Sequence, residues 1–272
     1  MQSSKSQEGK LLNPLKTKKQ KALEDFNNRI RDCDRCRLSL TRKHILAGEG
    51  DMDARIMLIA LSPGENEDAE DRMFIGPSGQ VLDKLFHEAG MEREWIYMTN
   101  LIKCTLPKCR RPKMDEIESC SKFLEDEISI IQPEIIVPLG YYATRTILTK
   151  YHADPPAARK DFKKKYGILI FSDDQKILPL PHPATLLYDP SFEHETIEKY
   201  KKLPILMQAC KWYSMCPMKR FYEAGRLERK WIELYCKGIW QNCVRYEMEE
   251  LDHYHFDWML PDGSPDENLK GY

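Results

Sequence analysis

Four short apolar runs, separated by stretches of helical periodicity, are the feature that most limits how this chain can fold. They are Arg55–Leu61, Trp95–Ile102, Glu134–Leu139 and Ile177–Leu180. Runs of this length read as buried parallel strands covered on both faces. Between them, Gly79–Ala89, Asp115–Ile131 and Tyr141–Tyr151 carry helical spacing, and Val81, Leu82, Leu85 and Phe86 make one apolar face. The alternation predicts an α/β fold of three layers, α/β/α, around a central, mainly parallel four-stranded sheet. Gly167–Phe171 is expected to pair with the last strand as a hairpin, because Ser172-Asp173-Asp174 is a turn signal. One more helix is predicted over Gln20–Arg31, with Leu23, Phe26 and Ile30 on one face.

Composition shifts divide the chain into three parts. Residues 1–19 are polar and lysine-rich and read as a disordered or loosely attached tail. Residues 20–208 form the α/β domain, and residues 209–272, rich in Trp, Tyr, Cys and charge, read as a small helical C-terminal module. The longest apolar run, Ile56–Leu61, is too short to cross a bilayer. No apolar stretch follows the N-terminal lysines, so a cytoplasmic protein without membrane attachment is expected, and a monomer. With a net charge of −1, binding to nucleic acid would need a local basic patch.

In an open parallel sheet, ligands bind beyond the carboxyl ends of the strands. That directs attention to Ser62-Pro63-Gly64, to Asn100 and to His182. Nine cysteines are many for a chain without an export signal, and in a reducing compartment metal or catalytic roles gain weight over disulfides. Cys33-x2-Cys36 can chelate one metal centre, and Cys104 and Cys120 would complete a four-thiolate site for zinc or iron–sulfur. The alternative is that Cys104 and Cys120 are small core residues.

The ordered segments Cys33-Asp34-Arg35-Cys36, Ser62-Pro63-Gly64-Glu65-Asn66-Glu67-Asp68, Met73-Phe74-Ile75-Gly76-Pro77-Ser78-Gly79, Tyr97–Cys104, Glu116–Cys120, Leu139-Gly140 and His182–Leu187 resemble the family 4, iron–sulfur branch of the uracil-DNA glycosylases. The resemblance covers roughly residues 30 to 200. It implies a uracil-DNA glycosylase-like fold and a 4Fe–4S cluster on Cys33, Cys36, Cys104 and Cys120. It also implies DNA repair by hydrolysis of the N-glycosidic bond of uracil, in single- or double-stranded DNA, to leave an abasic site.

Such chemistry needs a flipped base in a pocket. Phe74 supplies a stacking face, against the alternative of a core phenylalanine. Asn100 carries both a donor and an acceptor for the pyrimidine edge, against the alternative of an asparagine at a strand end. His182 would stabilise negative charge on uracil O2, against the alternative of a histidine in a Pro-His-Pro turn. Catalysis is thus assigned to His182 and Asn100, and the substrate pocket to Leu61, Ser62, Pro63, Gly64, Phe74, Asn100 and His182. Leu61 stands where the family has a glutamate implicated in handling water. Glu65, Glu67 or Asp68 then substitutes, or leaving-group stabilisation carries the rate, or activity is weak, altered in base preference or absent. The last reading leaves open a non-catalytic binder of uracil-containing or single-stranded DNA, or a glycosylase for another deaminated base.

Lys103, just before Cys104, and Lys108, Arg110, Arg111 and Lys113, between Cys104 and Cys120, form a basic loop, and Lys103, Arg110 and Arg111 are expected to hold DNA phosphates. Leu186 or Leu187 is the expected apolar wedge in the base stack. In the C-terminal module, Cys210, Cys216, Cys236 and Cys243 form either a second metal site, zinc or iron–sulfur, or a set of buried structural thiols.

Overall fold

The computed structural model describes residues 14–271. The expected tail over residues 1–19 lies outside the described residues as far as residue 13. From Pro14 the chain is already helical, in α1 (Pro14–Arg31), which starts upstream of the expected Gln20.

Four parallel strands form the centre of the sheet: β2 (Ile56–Ala60), β3 (Ile96–Asn100), β4 (Ile135–Pro138) and β6 (Gln175–Ile177). Two short edge strands extend it to six. β1 (Glu49–Gly50) runs antiparallel to β3, and β5 (Ile170–Ser172) antiparallel to β6, in the order β1-β3-β2-β4-β6-β5. The expected four-stranded sheet is therefore the parallel core of a larger one. Glu49-Gly50 carries no apolar pattern, so nothing in the sequence marks it as a strand. The β5–β6 hairpin turns on Asp173 and Asp174, both with positive φ, as a two-residue turn of this hand requires.

Each central strand is buried on both faces because helices cover both. Along β2, Ile56, Leu58 and Ala60 enter one core, and Met57 and Ile59 the other. The first core is closed by α3 (Pro77–Ala89), α7 (Glu193–Tyr200) and α8 (Lys202–Leu206). The second is closed by α4 (Met114–Ile131) and α5 (Gly140–Lys150). On the outside of α4, Phe26 and Ile30 of α1 pack on Phe123, the two phenylalanine rings edge to face at 6.3 Å. Short helices α2 (Glu65–Glu70) and α6 (Thr185–Tyr188) lie at the carboxyl end of the sheet.

The C-terminal region has its own small core, built from Met218, Phe221, Leu227, Ile232, Cys236, Leu260 and Leu269. Its elements are short: α9 (Pro217–Glu223), α10 (Arg229–Trp231), a π turn over Ile232–Cys236, and α11 (Val244–Glu250). It docks against the β5–β6 hairpin. There, buried Lys176 pairs with Glu233 at 3.1 Å and donates to the Lys237 carbonyl at 3.0 Å. Ile239 reaches into the first core. No helix among the described residues is long and apolar enough to cross a membrane.

Candidate active site and cysteine quartets

Three strand ends and the loops after them meet in one narrow cleft. Ser62, Pro63 and Gly64 follow β2, Asn100 ends β3, and His182 lies beyond β6. All five line the cleft together with Phe74 and Glu67. Phe74 reaches it from a strained turn with φ 53, a conformation uncommon outside glycine. The turn is held on several sides. The Phe74 carbonyl accepts from Arg93 Nη2 at 2.7 Å, and the Met73 N–H donates to Glu49 at 2.9 Å. Gly79 is required below it, since a Cβ there would come within 1.9 Å of the Phe74 carbonyl oxygen.

Asn100 is 2% exposed, and its amide donates to the sulfur of Met73 at 3.3 Å, a weak acceptor. His182 packs over the start of α5, where Gly140 has φ 72 and an added Cβ would lie 3.0 Å from His182 Cβ. Buried Tyr200 donates to the Pro181 carbonyl at 3.0 Å and holds the same loop. The Ala184 N–H donates to His182 Nδ1 at 3.1 Å, so Nδ1 carries no proton and the neutral ring bears its proton on Nε2. Desolvation pushes the imidazole pKa down to about 4. His182 is thus a neutral donor at physiological pH.

The family described as the uracil DNA glycosylase superfamily matches residues 47–203. The chain belongs to the uracil-DNA glycosylase superfamily. Among its relatives, a type-4 uracil-DNA glycosylase of Sulfurisphaera tokodaii is 35% identical over 77% of this chain and 94% of its own length. One of Saccharolobus solfataricus is 37% identical over 66% and 84%, and one of Thermotoga maritima 33% identical over 67% and 95%. The match to the superfamily ends before the C-terminal module begins.

Leu61 is not among the residues lining the cleft of this uracil-DNA glycosylase-like domain. It packs on the second core, because the alternation that aims Ala60 at the first core aims its neighbour away. Of the three carboxylates offered in its place, Glu65 is exposed. Asp68 is committed to the backbone N–H groups of Lys43 and His44, at 3.0 to 3.1 Å. Only Glu67 lines the cleft, held there by the Gly76 N–H at 2.7 Å.

The expectation that Lys103 holds a phosphate is corrected by its burial. It is fully enclosed and pairs with Glu127, and it donates to Thr99 Oγ1 at 2.6 Å and to the Asn100 carbonyl at 2.8 Å. Arg110 grips Glu116 with both ends of its guanidinium, so it braces the start of α4. Arg111 and Lys108 are exposed. Leu186 packs on the first core, while Leu187 is 47% and Tyr188 86% exposed on α6. The sequence reading missed a second basic surface. Arg159, Lys160, Lys163 and Lys199 line a groove of about 550 Å³ with Tyr166 and Phe192, and His182 lies at its border with the cleft. The run Arg159-Lys160 with Lys163-Lys164-Lys165 was the available signal.

Cys33, Cys36, Cys104 and Cys120 stand within electrostatic reach of one another, and all are free thiols. Arg42 donates to the Cys104 sulfur at 3.4 Å and to the Cys33 carbonyl at 2.6 Å. The Lys103 N–H faces the Cys120 sulfur. Cys109 is exposed and apart. Among the described residues, no three His, Cys, Asp or Glu side chains meet closely enough to hold a single ion.

Proposed function

We propose that this chain hydrolyses the N-glycosidic bond of uracil in DNA, as a repair glycosylase. One observation carries the reading: Phe74, Asn100 and His182, from three separate parts of the sequence, line the same cleft. The flipped uracil stacks on the Phe74 ring. The Asn100 amide meets uracil O4 with its N–H and uracil N3–H with its oxygen. Cytosine presents the reverse pattern and would leave buried polar groups unpaired. In the described state the cleft holds about 30 Å³, so seating a base means parting the Met73 sulfur from Asn100.

As the bond between C1′ and N1 breaks, its electrons pass to the ring and charge grows on O2. The Nε2–H of neutral His182 is the donor placed to meet that charge, and it does so more strongly in the transition state than in the ground state. Water attacks C1′ of the oxocarbenium-like sugar, and its proton passes to the Glu67 carboxylate. Glu67 thus takes the part that Leu61 cannot. The base leaves as an anion and is protonated by solvent.

Cys33, Cys36, Cys104 and Cys120 would hold a 4Fe–4S cluster. The donors fit: four free thiols within electrostatic reach of one another, with a guanidinium donating to the Cys104 sulfur and a backbone N–H directed at that of Cys120. Bound there, the cluster supplies a structural clamp between the end of α1, the loop after β3 and α4. DNA would lie along the groove of Arg159, Lys160, Lys163 and Lys199. Leu187 and Tyr188 would wedge the stack.

The test is release of free uracil from a uracil-containing oligonucleotide. The native chain releases it, and His182→Ala, still folded, does so at least about a hundredfold more slowly. No release by the native chain, even with enzyme in excess over DNA, rejects the reading.

A further inference from the structure

The C-terminal module repeats the four-thiol theme outside the part matched by the superfamily. Cys216 and Cys243 cap the starts of α9 and α11, Cys236 ends the π turn, and with Cys210 all four line one cavity of about 190 Å³. None is in a disulfide. Cys236 and Cys243 each lie within electrostatic reach of the other quartet members, and the Cys210 N–H donates to the Cys236 carbonyl at 2.8 Å. Backbone N–H groups face the sulfurs: that of Trp212 at Cys210, and those of Arg245 and Tyr246 at Cys243. Apolar packing of thiols needs no such donors. A thiolate bound to iron does, because N–H groups around the sulfur offset its charge.

A second, independent observation points the same way. Among the described residues, two buried side-chain polar atoms lack a hydrogen-bond partner: Trp240 Nε1 and Arg245 Nε. Both residues line this cavity. Arg245 is 2% exposed, and its Nη1 is fixed by the carbonyls of Phe256, Asp257 and Met259 at 2.8 to 3.1 Å. A buried cation with a free donor is costly unless an anionic acceptor sits beside it.

We propose that Cys210, Cys216, Cys236 and Cys243 bind a second 4Fe–4S cluster, the thiolates holding its irons and Arg245 and Trp240 donating to its sulfurs. A single zinc ion draws four sulfurs to about 2.3 Å from one point. It brings no acceptor beyond those sulfurs, whereas a cluster adds inorganic sulfides that accept from the unpartnered Arg245 Nε and Trp240 Nε1. The module also needs a brace. Its core is small and its helices are of seven residues or fewer, conditions under which small folds rely on metals or cross-links.

The experiment is iron, acid-labile sulfide and zinc per chain in the full-length protein, purified without oxygen from iron-replete cells. The native chain is expected to carry twice the iron and sulfide of a Cys216→Ser/Cys243→Ser variant. A Cys33→Ser/Cys36→Ser variant is expected to keep half of the native iron, with its absorbance bleached by dithionite. Full iron in Cys216→Ser/Cys243→Ser, no iron in Cys33→Ser/Cys36→Ser, or zinc in place of the second share of iron overturns the proposal. If Cys216→Ser/Cys243→Ser does not fold, the Cys33→Ser/Cys36→Ser variant still decides. Uracil release from the same native preparation is a separate readout, so the glycosylase reading and the second cluster can fail independently.

Discussion

The two faces of the sheet handle polar groups in opposite ways. On the second-core side, beneath β3, every polar group of the buried network has its partners. Glu127 accepts from Gly48 N–H at 2.7 Å, Tyr97 Oη at 3.3 Å, Thr99 Oγ1 at 2.7 Å and from Lys103. On the cleft side, Asn100 meets only a weak sulfur acceptor, and the proton of His182 is left on Nε2. The lesson is that the polar groups bracing the sheet are saturated, whereas those lining the cleft keep hydrogen-bonding capacity for a ligand. The two sides touch at Asn100, whose carbonyl is held by Lys103 while its side chain faces the cleft. The saturated side thereby sets the position of the unsaturated one.

The contrast can be broken most severely from the support side. Lys103→Met removes the cation that balances buried Glu127, and we expect a loss of about 3–5 kcal/mol of unfolding free energy in urea titrations. A loss under ~1 kcal/mol would mean that the network is not what braces β3. His182→Ala should do the reverse. It should lower kcat for uracil release by roughly 10²- to 10³-fold while leaving the melting temperature near native, a split that a merely structural histidine would not produce. Glu67→Gln sharpens the question of water. About a hundredfold loss in kcat is expected, with near-native DNA affinity by gel shift, and an unchanged kcat would remove Glu67 from the mechanism.

The smallest expected effect is in acid. The His182 pKa is about 4 when folded against 6.5 in the open chain, so below pH 6.5 the unfolded state takes up the proton first. The share of stability due to neutral His182 is therefore complete above pH 6.5 and is lost as the pH falls towards 4. His182→Gln should lose less stability than the native chain over that window in parallel melts. Equal losses would show that the histidine is not kept neutral by burial.

Much of the fold was legible because burial on both faces leaves continuous apolar runs, as in Ile56–Ala60 and Ile135–Pro138. The edge strand Glu49–Gly50 was not, since two polar residues carry no period. Of the site, Phe74, Asn100 and His182 could be named from ordered segments. Glu67 could not be separated from Glu65 and Asp68, because three neighbouring carboxylates differ only in where α2 aims them. Lys103 misled because a lysine grouped with Lys108, Arg110 and Arg111 reads as surface, and its burial depends on Glu127, more than twenty residues away in sequence on another element.

By itself the sequence determined the strand–helix alternation, the places where strands end, and which cysteines come in pairs. All of these depend on neighbours along the chain and on the period of burial. Only the tertiary structure decided which groups share a cleft, which carboxylate faces it, which lysine is buried, and that four distant thiols surround one cavity. Those facts depend on the meeting of segments far apart in the chain, and a local pattern carries no record of the partner that will saturate a side chain or leave it free.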